Sequence, residues 1–430
     1  AGAGAEATAR EAATLLAQAY AQVAELAADP AATTHATAAF EEVKKLSTNE
    51  VTAPVVIYFA VLGVALFFVL SAWFFAGLRG GVRGLLGMTW SLPIAGSALY
   101  VCWRAIFKFM MEVSSAKKCG PGKSPAELLG CTSSSWQKFD VFVQAYVDVT
   151  SSTLGWLSSS QLLMFVLVGC TFLHVECRRR GITRLVALAY IVVGFLGAIS
   201  LAFPLLFAHL SALRSYDIGA VKVNSIVMLC NVAALVSIVL LPITFESHRA
   251  SVYRTALLVV HFILAVPAIF GRPAAAKEHK TYHRSKLAMF YGFLAGAALL
   301  MHVNNLSKAV FELLAAGKTN PVDIVETIIV TPFRGNYCQF SISFDVVFTS
   351  VATCLYMMGS RPVRGTILAL LTPFLGIPTT FAAFLAAEEL CGITAEETFP
   401  GVAHKLATVS PKAPPATKAP KKPVKAAGKK

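Results

Sequence analysis

Acidic and basic side chains are almost missing from nine long stretches of this 430-residue chain. The stretches run 55–77, 85–103, 154–175, 185–208, 223–245, 255–271, 287–307, 339–358 and 365–387, and eight of them hold no Asp, Glu, Lys or Arg. Also missing are a Walker phosphate loop, a GxSxG elbow, an HExxH pair, a dinucleotide glycine fingerprint and any CxxC or Cys/His cluster with zinc-ligand spacing. These gaps remove the common soluble-enzyme assignments and leave no metal or cofactor legible. Two histidines on different apolar runs, His261 and His302, are a poor case for haem, because no second pair or supporting arginines accompany them. The chain opens on Ala1 with no charged-then-apolar leader, which reads as a leader removed or left off.

What is present is apolar. A hydrophobic fraction of 56% lies above that of a soluble domain, where core residues alternate with polar ones. Most runs reach the roughly 20 residues that a helix needs to cross about 30 Å of hydrocarbon. They are continuous rather than alternating, which favours helices over a barrel. The expectation is an all-α, polytopic membrane bundle of about nine transmembrane helices, with seven to nine plausible. The run 255–271 is the shortest of the nine.

Around residues 51–390, which hold the bundle, lie two unlike ends. Residues 1–50 are Ala-rich and read as amphipathic helices, with Thr8 and Glu11 at capping-box spacing and Asp29-Pro30 as a stop. Residues 391–430 read as a disordered tail, since 401–430 hold eight Lys and no acid among Pro and Ala. The tail suits anionic lipid headgroups; nucleic acid is not expected, as no aromatic residue is interleaved for stacking. Loop charge favours an N-terminus outside and a C-terminus inside, against a nearly even balance.

The largest connection, 104–153, contains Cys119 and Cys131 around a Gly-Pro-Gly segment, a candidate disulfide. Further on, Phe142, Tyr146 and Val149 share a face, which reads as a helix lying on the membrane surface.

The one exception among the nine runs is 339–358. Asp345 is the one charge in 339–358, and inserting a carboxylate there costs about 2.5–3.5 kcal/mol, so an uncompensated one is unlikely to persist by accident. Ser341, Asp345, Thr349 and Thr353 recur every fourth residue and share one helix face, which should look into protein or water. Arg104 snorkels at the interface if the second membrane helix is 85–103, and is a charge partner for Asp345 only if that helix is shifted to about 92–112. His261, His302 and Asn305 are further polar candidates within apolar runs. In the last run, Thr372-Pro373-Phe-Leu-Gly376-Ile-Pro378 should kink or unwind the helix and free carbonyls. No internal repeat is legible, because neither the Asp345 stripe nor this break has an obvious counterpart in the first half.

Three functions fit. The leading one is a transporter or channel-like carrier of a small solute or ion, with Asp345 as its charged element. The second is a non-catalytic subunit of a larger membrane complex with membrane-protein partners. The third is a membrane-embedded enzyme acting on lipid, with Asp345 and His261 or His302 as acid and base.

Overall fold

The computed structural model describes residues 53–116, 140–213, 221–223, 225–246, 250–270, 274–275 and 280–398. The helices expected in residues 1–50, Cys119 and Cys131, and residues 399–430 of the expected tail lie outside the described residues, while 391–398, also expected in the tail, are helical. Thirteen α-helices account for almost all of what is described. They are α1 (Ala53–Arg79), α2 (Gly81–Ala116), α3 (Asp140–Thr150), α4 (Thr153–Arg179), α5 (Arg184–Val192), α6 (Ile199–Ala212) and α7 (Ser225–Glu246). They continue with α8 (Ala250–Phe270), α9 (Lys280–Ala315), α10 (Pro321–Arg334), α11 (Tyr337–Ser360), α12 (Pro362–Leu375) and α13 (Ile377–Thr398). Two short strands, β1 (Val221–Lys222) and β2 (Ala274–Ala275), pair antiparallel and tie together the segments before α7 and before α9.

Among the described residues, six helices are long and apolar enough to cross a membrane: α1, α2, α4, α7, α9 and α11. Their outward side chains are apolar, with Phe67, Leu229, Met289 and Leu300 more than 60% exposed. A soluble monomer rarely exposes so much contiguous apolar surface. Length, composition and this outer face together describe a helical integral membrane protein.

The nine apolar runs do not become nine straight helices. The run 255–271 forms α8, whose apolar window is short (Thr255–Pro267). The run 185–208 breaks: α5 passes into a π-turn at Val193–Gly197, Ala198 is extended, and α6 starts at Ile199. The run 365–387 breaks at Gly376, between α12 and α13. Both broken pairs fold back on themselves. Laid end to end, α5, its turn and α6 would span about 40 Å at the α-helical rise, yet the Arg180 guanidinium just before α5 donates to the carbonyls of Leu210 and Leu213 at the end of α6. At the second break, Arg361 and Arg364 at the start of α12 pair with Glu388 well along α13. Each pair is therefore a helical hairpin with its tip at the break.

A repeated order of elements emerges. In the first half a 36-residue helix (α2), a short helix (α3), a capped long helix (α4) and a hairpin (α5–α6) follow one another. In the second, a 36-residue helix (α9), a short helix (α10), a capped long helix (α11) and a hairpin (α12–α13) do the same. Both tips carry Phe-Leu-Gly, at 195–197 and 374–376. The packing is reciprocal: α2 lies along α6 as α9 lies along α13, while α4 packs on α9 and α13 and α11 on α2 and α6. The two long helices run parallel. Gly155 meets Gln339 near their starts, and at their far ends Arg179 pairs with Glu389 while Arg361 pairs with Glu388. α4 is the central element, buried along almost its whole length.

Candidate functional site

Each long helix carries one polar side chain to a hairpin tip in the opposite half. Counted from their caps, Ser152 and Asn336, Gln161 on α4 and Asp345 on α11 occupy the same position. Asp345 Oδ1 accepts from the Ser200 backbone N–H at 2.7 Å, in the first turn of α6. That amide is one of the four orphan donors at a helix start, and the carboxylate also meets the positive end of the α6 dipole. The α6 start is thus capped by a residue 145 positions away.

The carbonyls freed at the same tip are also taken. Trp103 Nε1–H on α2 donates to Gly197 O at 3.0 Å, and the Tyr58 hydroxyl on α1 donates to Leu196 O. This satisfies the demand that irregular backbone at membrane depth be buried in protein or line a cavity.

Beside the tip lies a cavity of about 170 Å³. Asp345, Ser341 and His261 all line it, together with Cys102, Tyr146, Tyr58, Trp103 and apolar side chains such as Leu163 and Ile342. The elements explain this convergence. Ser341 Oγ donates to Cys102 O at 3.3 Å and Cys102 Sγ to Ser341 O at 3.5 Å, which holds α11 against α2. His261 on α8 donates from Nδ1 to Leu257 O at 2.8 Å, because a carbonyl only accepts; its Nε2 then accepts from the Tyr146 hydroxyl, also at 2.8 Å. Tyr146 belongs to α3, the helix expected to lie on the membrane surface, and points inward from the face it shares with the buried Val149.

The rest of the stripe is packing. Ser341, Asp345, Thr349 and Thr353 are all buried, while Val347, Val351 and Leu355 face outward, so the stripe looks into protein as its spacing requires. Thr353 donates back to Thr349 O within the helix, and neither threonine lines the cavity. Arg104 lies on a helix that does continue past Trp103, yet it points outward beside Tyr100, and no ion pair joins it to Asp345 among the described residues.

His302 and Asn305 belong to the other hairpin. Counted from the first residues of α2 and α9, Trp103 and His302 occupy the same position. They do the same work: His302 Nε2–H donates to Phe374 O, freed at the second tip, at 3.1 Å. Its Nδ1 accepts from the Gln161 carboxamide at 2.7 Å, and Asn305 donates to Ser160 on α4 at 2.9 Å. Thr372 and Thr380 hydroxyls bond across the break at 2.9 Å. Only one of the two histidines therefore joins Asp345. Gly376 is the hinge of this tip, with φ at 79°, and a Cβ there would overlap the Gln161 side chain. Gly376→Ala is expected to destabilise the fold by about 1–3 kcal/mol, seen as a lower thermal midpoint in detergent.

A second polar cluster was not legible as such. At the far ends of α4 and α11, Arg179 bridges Glu176 (2.8 Å) and Glu389 (2.5 Å), and Arg284 also reaches Glu389 (3.4 Å). The triplet Arg178-Arg179-Arg180 reads as loop charge in the sequence; its carboxylate partners come from α4 itself and from α13. This end of the bundle is tied by ion pairs, while the cavity lies toward the opposite end, next to Phe109, Met110, Val149 and Cys338.

The described cysteines are free thiols, and among the described residues no group of His, Cys, Asp and Glu is arranged to hold a metal ion. Comparison of the chain with protein families, with curated proteins and with solved structures finds no match.

Proposed function

We propose that the chain is a polytopic membrane carrier of a small solute or ion, with the Asp345 cavity as its site. The observation that carries this reading is a carboxylate with no ion pair among the described residues, set at the tip of a broken hairpin and lining a cavity with His261 and Tyr146. Carriers commonly place their sites at discontinuous helices near mid-membrane, at the interface of repeated halves. In this reading α1, α2, α4, α7, α8, α9 and α11 cross the membrane and the two hairpins enter and return on one side. Seven crossings put the start of α1 and the end of α13 on opposite faces, with the N-terminal side outside. The parallel course of α4 and α11 supports this count, because each hairpin returns the chain to the side it left.

For the lipid-enzyme alternative, His302 is engaged at the other tip through both ring nitrogens, and His261, which shares the cavity with Asp345, has Nδ1 on Leu257 O and Nε2 on the Tyr146 hydroxyl. The subunit alternative is separated by experiment. Purified alone and reconstituted into proteoliposomes, the chain is expected to show saturable uptake of at least one member of a panel of amines, amino acids, sugars and inorganic ions. No uptake across the panel, with stable co-purification of a second membrane chain in gentle detergent, would support the subunit reading instead.

A further inference from the structure

The geometry points to a small organic monocation, an amine with a compact apolar body, as the ligand of the Asp345 cavity. Three observations lead there, and the inference deepens the carrier reading by naming its substrate class.

The first is charge. Asp345 Oδ1 accepts from Ser200 N–H, the Ser200 hydroxyl and the Ile199 N–H also lie close to the carboxylate, and no Arg, Lys or His forms an ion pair with it among the described residues. A helix start carries about half a positive charge, so the α6 terminus leaves a net negative site. A carboxylate has two oxygens and about four lone-pair positions, so it retains acceptor capacity for an ammonium.

The second is what the cavity denies a bare metal ion. Cations of that kind need several oxygen ligands. The freed carbonyls at the tip would be the natural ones, but Gly197 O already accepts from Trp103 and Leu196 O from Tyr58, which leaves each a single lone pair. The Ser341 and Tyr146 hydroxyls give their protons to Cys102 O and to His261 Nε2, which fixes their direction but leaves lone pairs on both oxygens. Asp345 is the one charged oxygen ligand among the described residues that line the cavity.

The third is the wall. Tyr58, Trp103, Tyr146 and Phe195 line the cavity with aromatic surface. Aromatic faces stabilise a desolvated ammonium, most of all when water is excluded. A volume of about 170 Å³ is close to the roughly 150 Å³ of an apolar cavity that admits benzene, which sets the size of the body.

The test is thermal unfolding of the purified full chain in detergent with benzylamine, its uncharged near-isostere benzyl alcohol, or potassium chloride at matched concentration. Benzylamine at about ten times its dissociation constant is expected to raise the midpoint by about 1–2 °C, with no shift from the alcohol or the salt. Asp345→Asn should abolish the benzylamine shift. Equal shifts from amine and alcohol, a shift from potassium alone, no shift at all, or an unchanged shift in Asp345→Asn would each overturn the inference. If the variant does not fold, the wild-type comparison of amine with alcohol decides. The carrier reading fails separately: benzylamine that binds but is not taken up keeps the site and removes carriage. Uptake of another solute class without amine binding does the reverse.

Discussion

Replacing Glu389 with alanine is expected to destabilise the fold by about 3–5 kcal/mol, the usual cost of removing one partner from a buried ion pair. Its side chain is only 3% exposed and accepts from Arg179 and Arg284, themselves 19% and 14% exposed. Removal would leave Arg179 with Glu176 as its remaining ion-pair partner among the described residues. The loss should be larger than for Glu388→Ala, because Glu388 is 24% exposed and its partners Arg361 and Arg364 are 59% and 38% exposed. Exposed pairs contribute about 0–1 kcal/mol. Thermal midpoints of the two variants, measured side by side, check the ordering. Equal midpoints would mean that the Glu389 cluster is hydrated and contributes little.

The helical class and the stripe direction were legible because they depend on local composition and on the four-residue spacing. The break at Gly376 was legible for the same reason: two prolines around a glycine announce it in sequence. The break at Val193–Ala198 was not, although it shares the Phe-Leu-Gly triplet. Its run has Gly194 and Gly197 there but no proline, a weaker signal than the two prolines around Gly376, and Pro204 lies inside α6. The donor it exposes at Ser200 is satisfied by Asp345, and its carbonyls by Trp103 and Tyr58, all distant in sequence. A helix interruption sustained by tertiary hydrogen bonds leaves little signal in the run that contains it. The repeat stayed hidden for a related reason. Its matching positions hold Gln161 against Asp345 and His302 against Trp103, residue pairs that share a hydrogen-bonding task and little chemical likeness. The same substitution pattern makes the halves unequal. At the second tip a neutral carboxamide and an imidazole bond each other, whereas at the first a carboxylate lines a cavity.

That inequality makes Asp345→Asn the sharpest variant. A carboxylate at a helix start could serve only as a cap, and Asn caps about as well as Asp. The substitution keeps an oxygen for Ser200 N–H, keeps the shape and removes the charge. If capping were the whole role, uptake and stability would both survive. If the charge receives the solute, uptake fails while the fold persists. Asp345→Ala is the companion variant: it loses the cap as well, at about 0.5–2 kcal/mol, and should be the less stable of the two.

The central claim is that the Asp345 charge, and not merely its hydrogen bond, serves the cavity. The most direct measurement is solute uptake by Asp345→Asn in proteoliposomes, with its thermal midpoint taken on the same preparation. The expected result is uptake reduced at least about tenfold, a loss of about 1.4 kcal/mol or more, with a midpoint within a few degrees of the unsubstituted chain. Uptake at the unsubstituted level by a folded Asp345→Asn would contradict the account.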